Sequence, residues 1–314
     1  MANKLIVSAA PHITSADTTS KIMQRVCIAL VPSLIASVIW FGISPLILTA
    51  VTVAACVLFE YAYCKMVGRE VTINDFSAVV TGMLLAFNMP SGMPVWMAIV
   101  GAFIAIVVVK QLFGGLGFNF ANPAIVGRIA LALGYTGAMT TYVYPNNGID
   151  ALSAATPLGV ASELGAGEYV TLLLGNHGGV LGETCAIALI VGGLYLIVTK
   201  VISPMIPVSY LATVAVLSFA FGMDPIVQLL SGGVLLGAFF MATDYVTSPT
   251  TEKGKLIFGI GLGVITMLIR AFGTMNEGVS FAILLMNLLV PYIDVLTRQD
   301  KLGIAKVKKG GAAK

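Results

Sequence analysis

Residues 150 to 158, Asp150-Ala-Leu-Ser153-Ala-Ala-Thr156-Pro157-Leu158, bring hydroxyls, small neighbours and a proline together. Small residues allow close approach. Pro157 fixes its own φ and pushes the residue before it out of the α region. Thr156 is thereby held extended with its hydroxyl presented, which suits it to accept a phosphoryl group. The same residues also make an ordinary Ser/Thr turn ahead of a short helix, and composition by itself favours that plainer role.

Other polar positions carry two meanings as well. Asn119 and Asn122 precede a proline and an apolar run, where they could cap a helix or offer amides to a ring edge. Arg128 lies about two turns further on, a place where solvation is poor, so it pairs with an acid or holds a phosphate. Asp244 and Thr247 fall where another apolar run breaks. The choice there is between a helix C-cap with its turn and a binding role for a ligand or cation, because an acid at membrane depth is costly and by default functional. Glu60 could snorkel from the end of its helix, and Arg270 with Glu277 reads as an ion pair. His12 and His177 have no second ligand at metal spacing. Cys27, Cys56, Cys64 and Cys185 show no CxxC pattern and read as packing residues. No catalytic residue and no metal site is expected.

The chain that must position these groups has 314 residues, 58% apolar and 10% charged, with a mean hydropathy of +0.98. A soluble domain carries about 25% charged residues, which excludes an ordinary globular enzyme. Disorder would need low hydrophobicity, and nucleic-acid binding would need a basic patch. The expected class is an all-α polytopic membrane protein embedded in the lipid bilayer. A span needs roughly 20 apolar residues, and ten windows qualify: 22–41, 45–64, 76–89, 95–113, 121–135, 183–200, 206–222, 226–243, 256–272 and 279–297. The third and fifth are short, which in transporter-like folds points to a binding site.

Charge sets the expected orientation. Lys4, Lys21, Arg25, Lys65, Arg69, Lys110, Lys200, Lys253, Lys255 and the basic tail from Arg298 all fall on one side of an even number of spans. No Lys or Arg lies between Arg128 and Lys200, although Asp150, Glu163, Glu168 and Glu183 do. Both termini are therefore expected in the cytoplasm and the 136–182 loop outside. Thr81-Gly-Met-Leu-Leu-Ala-Phe-Asn-Met parallels Gly232-Gly-Val-Leu-Leu-Gly-Ala-Phe-Phe-Met, and Lys110-Gln-Leu-Phe-Gly parallels Ile269-Arg-Ala-Phe-Gly. With five spans per half, the copies enter from opposite sides as two inverted five-helix repeats. The expected organisation is a cytoplasmic arm (1–20), a first repeat (21–135), the outer loop (136–182), a second repeat (183–297) and a basic tail (298–314).

Several motifs together resemble one family. Ser153-Ala-Ala-Thr156 is similar to the Ser/Thr-Gly-Ala-Thr flavinylation motif of membrane subunits in Rnf complexes and in the Na⁺-translocating NADH:quinone oxidoreductase, with Ala154 in place of Gly. Ser8-Ala-Ala-Pro11-His12, Gly114-Gly-Leu-Gly-Phe-Asn119-Phe-Ala-Asn122-Pro123-Ala124 and Met241-Ala-Thr-Asp244-Tyr-Val-Thr247-Ser-Pro249 resemble further segments of the RnfD/NqrB family, Tyr245 replacing a proline. The resemblance implies FMN held covalently by a phosphoester at Thr156 and a second, non-covalent flavin, riboflavin or FMN, between the repeats. It implies electron flow between ferredoxin and NAD⁺ coupled to Na⁺ or H⁺ transport across a prokaryotic cytoplasmic membrane. The implied partners are a flavinylated G-type subunit outside, A/E-type membrane subunits and an NADH-binding C-type subunit. No Gly-x-Gly-x-x-Gly follows a strand and no Fe–S spacing is present, so NADH chemistry must lie in partners. The competing expectation is a secondary transporter or channel of urea-transporter-like five-plus-five architecture, its path lined by Asn119, Asn122 and Asp244. Thr156 in its turn separates the two.

Overall fold

The computed structural model describes residues 17–143, 166–273 and 278–298. Ser153 and Thr156 lie outside those residues, as do His12, Glu277 and the tail beyond Arg298. Thirteen helices follow one another among the described residues, and no strand occurs there beyond a single antiparallel bridge between Pro90 and Val180. They are α1 (Thr19–Phe41), α2 (Ser44–Val67), α3 (Ser77–Phe87), α4 (Val95–Gln111), α5 (Pro123–Gly134), α6 (Thr136–Thr140) and α7 (Ala166–Leu174). The rest are α8 (Ala186–Val198), α9 (Met205–Ala220), α10 (Pro225–Leu230), α11 (Val234–Leu236), α12 (Glu252–Phe272) and α13 (Val279–Thr297). Each of the ten apolar windows contains a helix. Four of them, α1, α2, α12 and α13, are long and apolar enough to cross a membrane, and α3, α4, α5, α8 and α9 are shorter apolar helices.

Local signals explain many of the boundaries. Thr18 caps α1 by accepting from Lys21 N (3.4 Å), and Thr251 caps α12 by accepting from Gly254 N (3.0 Å). Asn122 caps α5, with Pro123 at the first helical position, where the missing N–H costs nothing. Gly68 closes α2 in the left-handed conformation, with φ at 71°. The window at 226–243 is split, because Ser231-Gly232-Gly233 breaks the helix and Gly233 takes a φ of 71°. Beyond the break the chain winds into a π turn, Gly237–Met241, and α4 likewise ends in a π segment, Ile104–Gln111.

Packing follows from the solvent. Large apolar side chains such as Ile28, Ile35 and Ile39 on α1 and Val191, Leu194 and Val198 on α8 face outward, while Ser33, Ser37, Thr52 and Glu60 are buried. This arrangement suits a membrane protein, whose polar groups must be satisfied inside. α2 packs against α3 and α4, α9 against α12, α1 against α8, and α5 against α13. Small residues permit these approaches. A Cβ on Gly192 would strike the carbonyl oxygen of Ala29, so α8 lies directly on the α1 backbone.

The irregular segments are tied down by hydrogen bonds. Gly182 N and Leu181 N donate to Phe87 O (2.8 Å) and Met89 O (3.0 Å), which satisfies the end of α3. Glu183, 2% exposed, accepts from Gly232 N (3.0 Å) at the α10–α11 break. Arg270 donates to Gln228 O (2.7 Å), Ser231 O (2.9 Å) and Gly232 O (3.3 Å) at the same break. Its described partners are thus carbonyls closing α10. Between α9 and α10, Asp224 caps α10 through Ile226 N (2.8 Å) and accepts from the Tyr169 hydroxyl. The Tyr169 bond first, and the helix amides second, hold the Asp224 carboxyl below its ordinary range.

The α1–α8 contact leads to a stability prediction. Gly192→Val should destabilise the detergent-solubilised protein by about 1–3 kcal/mol, the usual cost of overpacking. Gly134→Ala, with open space around it, should change little. Equal thermal midpoints for the two variants would show that the close approach is not a determinant of stability.

Candidate functional site

A cavity lies where the start of α1, the start of α3, the end of α4, the start of α5, the end of α8 and the segment after α11 converge. Its walls are mainly apolar, including Leu84, Leu116, Leu196, Val201 and Phe239, and polar groups interrupt them at a few points. Lys110, Asp244 and Tyr245 are the ionisable side chains among its lining, with Thr81, Asn119 and Asn122 beside them.

Asn122 takes the capping role and also ties the two halves together. Its Oδ1 accepts from Ala124 N (3.0 Å) and Ile125 N (3.4 Å), which caps α5. Its Nδ2 donates to Met241 O (3.3 Å), where the π turn ends in the other half of the chain. The Asn287 amide on α13, with its nitrogen toward Thr247 O (3.0 Å) and Ile283 O (3.2 Å), accepts from Asn122 N (3.1 Å). Asn119 Nδ2 donates to Ala121 O (3.0 Å), closing the turn before α5. Asp244 follows the π turn, and its Oδ2 accepts from Thr247 Oγ1 (3.1 Å). Thr247 is buried and does not line the cavity, so it reaches the site through Asp244.

The structure therefore brings Asn119, Asn122 and Asp244 to one cavity, with Thr247 behind Asp244. It does not bring Arg128 there. Arg128 is buried further along α5 and donates to Ser280 Oγ on α13 (2.5 Å).

The strongest polar feature of the site is one that sequence reasoning missed. Lys110 is 2% exposed and Glu60 is 0% exposed, and Lys110 Nζ lies 2.7 Å from Glu60 Oε2. Lys110 also donates to Ser77 Oγ (2.6 Å), and Glu60 Oε1 accepts from Thr72 Oγ1 (2.7 Å). Ser77 in turn donates to Asp75 Oδ1 (2.5 Å). Glu60 does not snorkel, because it is sealed between α2, α3 and α4, and Lys110 does more than mark a side of the membrane. An acid inside an apolar span was the available signal. Its partner lies on another helix, and no spacing rule reveals that.

The remaining polar residues fit plainer roles. His177 is buried in the segment before α8, with Nδ1 3.2 Å from Gly178 O, as a turn residue would be. All four cysteines are free. Among the described residues, no three His, Cys, Asp or Glu side chains converge as a metal site would require.

Known proteins share this chain from end to end. A model of the family described as NQR2, RnfD, RnfE matches residues 6–303. The chain is similar to the D subunit of the Na⁺-translocating ferredoxin:NAD⁺ oxidoreductase complex of Acetobacterium woodii, 47% identical over 315 residues and covering 98% of each protein. It is 42% identical over 320 residues to the D subunit of the proton-translocating ferredoxin:NAD⁺ oxidoreductase complex of Clostridium ljungdahlii, covering 96% of this chain and 97% of that one. It is 35% identical over 339 residues to the D subunit of the ion-translocating oxidoreductase complex of Alcanivorax borkumensis, covering 98% and 99%. The family match runs from before α1 to beyond α13, in agreement with the resemblance carried by the motifs, and the protein belongs to the NQR2, RnfD, RnfE family.

Proposed function

We propose that this chain is the flavin-carrying membrane subunit of an Rnf-type complex, passing electrons between flavins and partner subunits while Na⁺ or H⁺ crosses the membrane. The observation that carries the reading is the end-to-end similarity to D subunits of ferredoxin:NAD⁺ oxidoreductase complexes. Those relatives are named for different ions, one Na⁺ and one H⁺, so the coupling ion stays open between the two. The proposed partners are those of an Rnf complex: a flavinylated G-type subunit outside, A/E-type membrane subunits and an NADH-binding C-type subunit.

The architecture proposed for this role is ten spans in two inverted repeats, in a prokaryotic cytoplasmic membrane with both termini inside. Corresponding contacts support it: α2 packs on α4 in the first half as α9 packs on α12 in the second. Thr156 is the proposed attachment point of FMN, with Ser153 in the same motif, on the loop proposed to face outward.

The second, non-covalent flavin is assigned to the cavity. The apolar walls and few polar points suit a flat ring with one hydrogen-bonding edge. When bound, the flavin would supply the electron-transfer chemistry. The residues of this chain would do the rest. Asn119, Thr81 and Lys110 would meet polar edges, Asn122 and Asn287 would hold the two halves in register around the ring, and the apolar walls would exclude water. Arg128 lies away from the cavity on α5, buried and bonded to Ser280 on α13.

Two outcomes test the assignments separately. Thr156→Ala should leave the protein in the membrane and abolish both the flavin fluorescence of its denatured gel band and the FMN mass on the Thr156 peptide. Flavin still bound after denaturation in that variant would sink the attachment site. Solvent-extractable flavin should persist in Thr156→Ala. In Asn119→Ala its affinity should fall roughly fivefold, the loss of one hydrogen bond of about 1 kcal/mol. Unchanged affinity there would count against Asn119 as a ring contact.

A further inference from the structure

The buried Lys110 sits between the cavity and the exposed turn that joins α2 to α3. A lysine ammonium has three N–H donors. Two are used, toward Glu60 Oε2 (2.7 Å) and Ser77 Oγ (2.6 Å). The side chain lines the cavity, so the third donor is left to whatever the cavity holds. Behind it the bonds run outward in an unbroken line. Glu60 is held from its other oxygen by Thr72 Oγ1, and Thr72 is exposed in the α2–α3 turn, beside the exposed Arg69 and Glu70. Thr72 donates toward Glu60, which is the direction inward proton transfer needs. Ser77 leads to Asp75, half-buried in the same turn. Other ionisable groups near the node are Cys56, close enough on α2 to feel both charges, and Asp244 and Tyr245 in the cavity lining.

We propose that Lys110 is the proton donor and positive counter-charge for a redox-active ring in this cavity, and that it is recharged from the aqueous face through Thr72 and Glu60. The proposal rests on the reading that a non-covalent flavin occupies the cavity. When two electrons reach the ring from a partner subunit, one Nζ–H bond of Lys110 breaks and one N–H bond forms on a ring nitrogen. Lys110 is left neutral. Glu60 takes a proton from water by way of the Thr72 hydroxyl and passes it to Lys110 Nζ, which restores the ion pair with one proton taken from the aqueous side. The pair is also a dipole with its positive end on the cavity wall and its negative end behind, so it stabilises negative charge arriving on the ring.

The experiment uses the detergent-purified complex, in which the extractable flavin is quantified and then titrated spectroelectrochemically. Lys110→Met alone would strand a buried carboxylate, so the main variant is the neutral double replacement Glu60→Gln/Lys110→Met. The flavin should be retained and its midpoint potential should fall by at least about 30 mV, a tenfold shift in the two-electron equilibrium. Lys110→Arg, which keeps the charge, should hold the potential near that of the unaltered complex. Thr72→Val, which cuts the line away from the cavity wall, should leave the potential unmoved and slow several-fold the proton uptake that follows rapid reduction, read with a pH indicator.

Flavin present with an unmoved potential in the double variant overturns the counter-charge, and so does an equal fall in Lys110→Arg. Normal proton uptake in Thr72→Val overturns the relay. That measurement alone decides if the double variant loses its flavin. Absence of extractable flavin from the unaltered complex is a different result, because it removes the cavity reading itself and this proposal with it.

Discussion

Hydrocarbon offers a backbone amide or a charge no water to turn to, so each one placed in the membrane must find its partner inside the protein. The bundle is arranged around that demand. Where helices run without an internal proline or break, as in α2 and α12, the backbone satisfies itself. Where they break, another segment supplies the missing bonds. The residues before α8 donate to Phe87 O and Met89 O at the end of α3, and Arg270 with Glu183 closes the α10–α11 gap from both sides, one donating to carbonyls and the other accepting from Gly232 N. Both breaks are irregular backbone held by protein and shielded from lipid.

The Glu60–Lys110 pair obeys the same demand, but its position asks for more than a stability argument. Removing one member of such a pair costs about 3–5 kcal/mol, because a lone charge is left behind, whereas replacing both with apolar groups is often neutral. The pair therefore contributes little net stability for the constraint it imposes on α2, α3 and α4. What it does provide is a fixed positive charge on a cavity wall, oriented by two hydrogen bonds. Charges exposed to water, such as Lys255 with Glu252, have no comparable reach, because water screens them.

Much of this was legible in the sequence. All ten apolar windows hold helices because hydropathy is a local property. The cap at Asn122 is local too, whereas the break at Gly232-Gly233 divides a window that hydropathy reads as one run. Asn119, Asn122 and Asp244 could be nominated one by one from their types, and the structure gathers them at one cavity. Three things were not legible. Lys110 was counted as a marker of membrane side because its partner stands fifty residues away on a neighbouring helix. Arg128 drew attention as a buried cation, yet the direction in which α5 presents it, toward Ser280, depends on how α5 meets α13. Arg270 is bonded to Gln228, Ser231 and Gly232 at a helix break folded back from earlier in the chain, contacts that no spacing announces, while its expected partner Glu277 lies outside the described residues. In each case the deciding contact is tertiary.

That the cavity draws its walls from both halves has an electrostatic consequence for the proposed function. Lys110 comes from the first half and Asp244 from the segment after α11, so a charge arriving between them acts on both. At an effective dielectric of about 20, two unit charges 4–8 Å apart interact by roughly 2–4 kcal/mol. Negative charge on a ring in the cavity would be drawn to the Lys110 ammonium and repelled by a carboxylate at Asp244, and both effects would lapse when the electrons leave. The halves meet through Asn122, which caps α5 and is bonded at once to Met241 O and to Asn287.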